Sequence, residues 1–501
     1  MAFKVCFIGA GSIGFTRALF TDLMSVEAFR GKIAVSFTDI NPHNLEMVRA
    51  LCQRDLDENG VKTTIEATTD RSAALKESKY IINCPRIGGL EAFETDIEIP
   101  LKYGVDQCVG DTLCAGGIMY GQRVIAAILD FCKDIREVCE PGALMLNYSN
   151  PNAMATWAAN KYGKVRTIGL CHGVMGGHAQ ITDAFGLKQE EVDIICAGIN
   201  HQTWYISIKH NGEDLTGKLL AAFESNPKYA KTEKVRIDML RRFGYYSTES
   251  NGHLSEYVPW YRKNADEINK WIDLSVWING ETGGYLRVCK ESRNWFETDF
   301  PNWMKEPFRK YDGSERGHEH GSYIIEGLET GKLYRGHFNV VNNGCITNLP
   351  DDAIVEVPGY VDYNGVNIPQ VGDLPLGCAA VCNASISVQR LAVEAAVRGD
   401  DTLLRQAFMM DPLTGAILTP PYIWQLVDDM LVAQEQWLPQ YKAAIKAAKK
   451  RQKGERLPLK EVKAAARLKE KTVEEMSKAK EETRRLAAAA DKAADARAKQ
   501  K

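Results

Sequence analysis

A glycine turn set between a strand and a helix constrains this chain more than any other feature. Lys4-Val5-Cys6-Phe7-Ile8 is a short apolar strand, and Gly9-Ala10-Gly11-Ser12-Ile13-Gly14 follows it directly and opens a helix over Phe15–Leu23. Glycines there permit a tight turn and let backbone N–H groups approach a pyrophosphate at the helix N-terminus. Alone, a GxGxxG pattern is weak. Here the next strand, Lys32–Thr38, ends at Asp39, 25 residues past Gly14, near the roughly 20 expected for a carboxylate that binds the adenosine ribose. A carboxylate at that place repels a 2′-phosphate, which favours NAD over NADP. Gly9, Gly11, Ser12, Ile13, Gly14 and Asp39 are the expected cofactor contacts, with Asn83 at the end of a later strand. The competing reading is a glycine-rich turn that only closes a βα unit.

The alternation continues. Asn44–Asp57 reads as a helix, Thr63–Ala67 as a strand, Ala73–Glu77 as a helical turn, Tyr80–Asn83 as a strand and Ile118–Cys139 as a long helix. Gly142–Asn147 and Thr167–Leu170 are further buried strands. This pattern predicts an α/β protein whose residues 1–192 form an N-terminal Rossmann-type, doubly wound parallel sheet. From Asp193 aromatics become dense and strands less regular. Residues 193–445 are therefore expected to form a C-terminal mixed α+β substrate domain, a lactate/malate dehydrogenase-like arrangement. Residues 446–501 stand apart: from Lys449 onward they hold 18 Lys and Arg against 9 Asp and Glu, with few large apolar side chains. Such a stretch has helix propensity but no stripe wide enough to bury. A solvated, helical or disordered appendage is expected, with a docking or polyanion-binding arm as the other reading.

Composition narrows the partners. With 501 residues, 45% of them hydrophobic, and a net charge of −3, the chain can bury a large core and gives no reason to expect nucleic acid. No run approaches the ~20 apolar residues that span a bilayer, so no membrane partner is expected. The N-terminal apolar stretch is too short for a signal peptide. The 13 cysteines are odd in number and scattered, which points to a reducing, cytoplasmic setting.

Three segments carry possible chemistry. Asn147-Tyr148-Ser149-Asn150-Pro151-Asn152 follows a buried strand, where the loops of a doubly wound sheet line the ligand crevice. Gly169-Leu170-Cys171-His172-Gly173-Val174 follows the next strand, and Gly198-Ile199-Asn200-His201-Gln202 reads as the start of another. Cys171 and His172 are neighbours on a strand end and should point to opposite sides. A Cys171 thiolate and a His201 imidazole with open positions suit a divalent transition metal. Softness alone suggests zinc, and a buried thiol with a core histidine is the plain alternative.

Together with Gly9–Thr16, these segments resemble the NAD- and divalent-metal-dependent glycosidases of glycoside hydrolase family 4. The resemblance extends through GDTLCAGGIMYGQR (Gly110–Arg123), NYSNPNAMATWA (Asn147–Ala158), GLCHGV, GINHQTW and RRFGYYSTESNGHLSEY (Arg241–Tyr257) to NNGCITNLPDDAIVEVP (Asn342–Pro358) and VGDLP (Val371–Pro375). It implies that Cys171 and His201 hold the metal, usually Mn²⁺, under reducing thiol conditions. It also implies an elimination route in place of the two-carboxylate scheme. NAD⁺ takes hydride from carbon 3 of the sugar, a base removes the acidified carbon-2 proton, the glycosidic oxygen leaves, water adds, and the hydride returns. The metal polarises the oxygens on carbons 2 and 3.

For the base the resemblance points to the segment after Arg241, where Tyr246 is favoured over Tyr245, with Glu249, His253 and Glu256 nearby. Asp111 is a candidate to assist the leaving group, although a backbone cap is the commoner use of such a residue. Asn150 is expected to bind sugar hydroxyls. Arg86 and Arg123 could bind an anionic substituent or serve as surface or capping residues.

The CHGV form at Cys171–Val174 resembles the α-galacturonidase branch. It implies an α-linked hexuronide, an oligosaccharide fragment of pectin, with His172, Arg86 and Arg287 as partners for its carboxylate. α-Glucuronides, α-galactosides and α-glucosides follow. The resemblance also implies a homodimer or homotetramer. Two readings of other classes stay open: an NAD-dependent 2-hydroxyacid dehydrogenase and an NAD-sensing binding protein.

Overall fold

The strand that enters the glycine turn is buried on both faces. In the computed structural model, which describes residues 3–275, 279–460, 462–483 and 485, Phe3–Ile8 forms β1. Its side chains alternate, as a strand requires: Val5 and Phe7 pack into one core layer, Cys6 and Ile8 into the other. Around it lie β2 (Ile33–Thr38), β3 (Ile65–Thr68), β4 (Tyr80–Asn83), β5 (Leu144–Asn147) and β6 (Thr167–Gly169). They stand in the order β3-β2-β1-β4-β5-β6 and all pair in parallel. This is the dinucleotide-binding strand order, and its direction reverses between β1 and β4, where the crevice forms. Helix Ile13–Met24 covers one face with Leu19, Phe20 and Leu23; the long helix Cys114–Val138 covers the other.

The sheet does not stop at β6. It continues through β7 (Val192–Ile199), β8 (Gln202–His210), β9 (Glu213–Asp214), β10 (Tyr334–Val341), β11 (Ile354–Asp362) and β12 (Gly365–Asn367). β10 pairs antiparallel with β6, β11 with β10, and β7 with β11, and the β7–β8 hairpin follows. The change from parallel to mixed pairing falls where the expected boundary at residues 192/193 lies, yet one sheet runs through both halves. An open β6 edge would leave a row of unpaired backbone groups, and β10 covers it.

One local expectation is overturned. Gly198–Gln202 does not open a strand: Ile199 pairs with Gln202, which leaves Asn200-His201 as a two-residue hairpin turn. His201 takes a left-handed backbone, φ +65°, as such a turn demands of one of its central residues.

Helix Leu376–Arg398 is long and apolar enough by composition to cross a bilayer, with a mean hydropathy of 1.3 over its most apolar stretch. It packs on Cys114–Val138 and buries Cys378, Cys382, Ile386 and Val388, so it serves as a core helix.

The C-terminal segment binds back onto the body by ionic and backbone contacts. Arg456 pairs with Asp429 at 2.7 Å, the Leu457 N–H donates to Gln425, and the Ala466 carbonyl accepts from the Thr282 N–H. Arg467 reaches Glu98, the Lys471 N–H donates to Glu291, and the Lys480 ammonium lies 4.2 and 4.4 Å from the rings of Trp295 and Trp303. Residues 486–501 of the expected appendage lie outside the described residues. Truncation after Lys453 is expected to lower the thermal midpoint by about 2–6 °C and to speed proteolysis near Thr282. An unchanged midpoint and digest would refute the docking.

Candidate active site

The crevice opens where β1 and β4 end. Gly9 has φ +82°, and a Cβ there would meet the Pro85 backbone at 2.5 Å; a Cβ on Gly11 would strike the Asp39 carboxylate at 2.9 Å. Only glycine fits at either place. Gly14 faces open space. The Gly11 N–H donates to Asp39 Oδ2 at 2.9 Å, which fixes the carboxylate at the rim. A cleft of about 950 Å³ runs from there and is lined by Gly9, Ser12, Asp39, Arg86, Ser149, Asn150 and Tyr285. Its size and the glycine-lined turn suit a dinucleotide. Asn83 does not line it: its side chain is buried and donates to Asn147 Oδ1 at 2.8 Å, tying two strand ends together.

Asn150 links the cleft to a buried polar cluster. Its Nδ2 donates to Asp111 Oδ2 at 3.0 Å, and Thr112 donates to Asp111 Oδ1. The Thr112 hydroxyl is 2.9 Å from His201 Nδ1. Around that nitrogen also lie His253 Nε2 at 3.0 Å and the Tyr257 hydroxyl at 3.3 Å. Nδ1 is thus engaged, which leaves Nε2 to bind a cation. Burial lowers the His201 pKa to about 4, so the ring is neutral, the form that ligates metals.

Cys171, His201 and Glu249 place three donor atoms within 4.8 Å of one another. Cys171 lies just past β6 at the head of helix Gly173–Phe185, and its sulfur accepts from the Gly173 N–H at 3.4 Å. A Cβ on Gly173 would sit 2.1 Å from Glu249 Oε1, so that glycine makes room for the carboxylate beside the thiol. His320 Nε2, 3.1 Å from the Cys171 carbonyl, pins the backbone from behind. Burial above all holds the Cys171 thiol well above its ordinary range. It becomes a thiolate only when a cation displaces its proton. Burial opposes ionisation of Glu249, but the cationic groups around it outweigh that and its pKa is lowered. One thiol, one neutral imidazole and one carboxylate fit a divalent ion with coordination positions left over. A second donor group, Asp111, His201 and His253, also meets that spacing, but Asp111 is taken up by Thr112 and Asn150, and the two imidazoles by each other and by Tyr257.

The tyrosine that reaches this cluster is neither of those favoured from the sequence. Tyr246 is fully buried, stacked on Phe223 with centroids 4.5 Å apart beneath the Arg236 guanidinium, and its hydroxyl donates to Gln180. Tyr245 is half-buried against the main core. Tyr257 instead stands 2.7 Å from His253 Nε2. His253 Nδ1 is 2.9 Å from Glu256, which also accepts from the N–H groups of Cys108, Val109 and Gly110. Burial pulls the His253 pKa down, but its bond to Glu256 more than offsets this and the net shift is upward. The signal for Tyr257 was its place four residues after His253, on the same side of a short helical turn.

The expected cations fare differently. Arg123 is buried and holds Asp96 through both its terminal nitrogens, at 3.0 and 2.6 Å. Arg287 is tied to Glu281 and Glu291. His172 is largely exposed and lies 3.5 Å from Glu319, which lifts its pKa to about 9. Only Arg86 faces the cleft near the cluster, 3.7 Å from Asp111 and packed among the rings of Phe93, Tyr120 and Tyr285. Arg123→Ala is expected to cost about 3–5 kcal/mol of stability, because Asp96 is left buried and unpaired. The KM of the folded fraction should be unchanged, and a raised KM at full stability would return Arg123 to the substrate site.

Known proteins resemble this chain along most of its length. A model described as "Family 4 glycosyl hydrolase" matches residues 4–187, and one described as its C-terminal domain matches residues 196–414. An alpha-galactosidase from Rhizobium meliloti is 56% identical over 97% of this chain and 99% of its own length. An alpha-galactosidase from Bacillus subtilis is 34% identical over 88% of this chain and all of its own. Among solved structures, a 6-phospho-alpha-glucosidase from gut microorganisms, in complex with NAD and glucose-6-phosphate, superposes with a TM-score of 0.73. It shares 25% identity, over 88% of this chain and all of its own.

Proposed function

From the premise that the chain belongs to family 4 of the glycosyl hydrolases, we propose that it hydrolyses α-galactosides with NAD⁺ and a divalent cation, Mn²⁺ first among them. The observation that carries the reading is the Cys171–His201–Glu249 donor set joined to the glycine-lined cleft through Asn150 and Asp111. When bound, NAD⁺ supplies a reversible hydride acceptor for carbon 3 of the sugar, and the cation supplies Lewis acidity for its neighbouring oxygens.

The chain's own residues do the rest. Gly9, Ser12 and Asp39 hold the dinucleotide at the crevice. Asn150 and Asp111 orient sugar hydroxyls between the cofactor and the donor set. Tyr257 is the carbon-2 base in place of Tyr246: its buried phenol is a poor base alone, but His253 takes its proton at 2.7 Å, with Glu256 behind. Carboxylate, imidazole and phenol in series share the charge that a lone tyrosinate would have to bear.

The substrate assignment follows from charge. A galacturonide brings a carboxylate at carbon 6 and needs an unpaired cation. Arg123, Arg287 and His172 are each committed to a carboxylate, and Arg86 already stands by Asp111. A neutral sugar asks for no such partner. The two alpha-galactosidase relatives support the same choice, while the CHGV sequence supports the galacturonide.

A panel of α-galactoside, α-galacturonide, α-glucuronide and α-glucoside, run with NAD⁺, Mn²⁺ and a thiol reductant, separates these readings. The galactoside should be cleaved with no build-up of NADH, with kcat/KM at least about tenfold above the galacturonide. Preference for the galacturonide would reverse the substrate assignment, and steady NADH production would mark a dehydrogenase. In D₂O, recovered galactose should carry deuterium at carbon 2. Tyr257→Phe should lower kcat by about 10²–10⁴-fold and suppress that label while NAD⁺ and Mn²⁺ still bind. Full labelling by Tyr257→Phe would exclude it as the base.

A further inference from the structure

Glu356 occupies a place where an ionisable side chain needs a reason. It sits on β11 between Val355 and Val357, is 1% exposed, and lies opposite Gly198 of β7 on one side and Asn339 of β10 on the other. A carboxyl group inside a sheet is costly unless something uses it. Its carboxyl accepts from Asn200, whose Nδ2 donates to Glu356 Oε2 at 3.3 Å. Asn200 is the residue before His201 in the two-residue turn, and His201 holds the left-handed backbone there, a conformation that persists only when its surroundings enforce it.

The neighbouring groups are unsatisfied in an informative way. Glu356 Oε1, Asn200 Oδ1 and both amide atoms of Asn339 are buried without a hydrogen-bond partner among the described residues. Buried polar atoms without partners are rare, and several in one place mark a shared network. Burial raises the Glu356 pKa to about 8, so at neutral pH it carries a proton and can donate as well as accept. A neutral acid facing an amide supplies the donor that the Asn200 oxygen lacks.

We propose that Glu356 is a positioning residue for the cation site: by gripping Asn200 from β11 it locks the hairpin turn that aims the His201 ring at Cys171 and Glu249. The inference rests on the metal reading given above, and it concerns a side chain that touches neither substrate nor cation. Partners of this kind typically set metal affinity by 10–100-fold.

Titration of Mn²⁺ by electron paramagnetic resonance on the full chain tests it, with NAD⁺ affinity and thermal midpoint measured in parallel. Glu356→Gln keeps a neutral group that both donates and accepts, and should bind Mn²⁺ within about threefold of the unaltered protein. Glu356→Leu removes the grip and should weaken Mn²⁺ by at least about tenfold while NAD⁺ affinity stays put. Asn200→Ala, which removes the other half of the pair and leaves the sheet untouched, should do the same and covers the case in which Glu356→Leu fails to fold. Cys171→Ser is the control for the metal reading. If Cys171→Ser loses Mn²⁺ while Glu356→Leu or Asn200→Ala, folded, keeps full affinity, this inference falls alone. If Cys171→Ser itself keeps full affinity, the cation is held elsewhere and both readings fall.

Discussion

Cys171 lies just beyond β6, and His201 lies on the tip of the β7–β8 hairpin. Thirty residues separate them in sequence, and no direct strand pairing joins their elements. They meet because β10 pairs with β6 through Asn339 and Gly169, and β11 carries that pairing on to β7 through Glu356 and Gly198. Each of those contacts is a single ladder position, so the separation of thiol and imidazole depends on two narrow seams. Gly169 belongs to this constraint, since a Cβ there would collide with Asn152 at 2.0 Å and Asn339 at 2.8 Å. The nucleotide crevice needs only the first six strands; the donor set needs the whole sheet.

Electrostatics follows from that convergence. Asp111, Glu249 and Glu256 are brought around one imidazole pair in a buried volume. Such crowding is unfavourable unless the charges are hydrogen-bonded or neutralised. Glu256 is satisfied by three backbone N–H groups and His253, and Asp111 by Thr112 and Asn150. Glu249 has the fewest donors of its own, one backbone N–H from Ser250 at 3.3 Å and the weak contact with Cys171. It is therefore the carboxylate with most to gain from a cation. The same reasoning sorts the two overlapping donor groups, because the set with unsatisfied oxygens and sulfur binds an ion at less cost than the set already bonded within itself.

Much of this was legible in the sequence, and the rest was lost for identifiable reasons. The strands β1–β6 announce themselves because each is a short apolar run with turn residues after it, and the glycine turn gives the crevice. Cys171 and His201 stood out by residue type and by the resemblance. The Asn200–His201 turn reads as a strand start in sequence because it lacks the glycine that usually marks such a turn. Arg123 was misplaced because its partners, Asp96 and Gln434, come from distant helices, and nothing in a single helix reveals that its charge will be buried. Tyr246 and Tyr257 differ only in tertiary surroundings: Tyr246 lies in an apolar cluster with Phe223 and Tyr205, Tyr257 beside His201 and His253. The C-terminal segment hid its docking because it binds through side-chain ion pairs and backbone N–H groups, which leave no periodic apolar stripe to read.

The final consequence concerns what such a site can discriminate. A pocket that gathers carboxylates around a cation presents its positive charge at one point and negative charge everywhere else. Hydroxyl groups suit both regions, since they can ligate the ion and donate to carboxylates. A carboxylate at carbon 6 lies at the far end of the sugar from carbons 2 and 3. It therefore sits away from the cation and needs a positive partner of its own. Of the expected cations Arg86 alone lines the cleft, and its guanidinium is held among three aromatic rings beside Asp111. Accepting a uronate would require Arg86 to leave that carboxylate or to serve two at once. On the proposed reading, a preference for a neutral sugar would follow from how these cations are already paired with carboxylates.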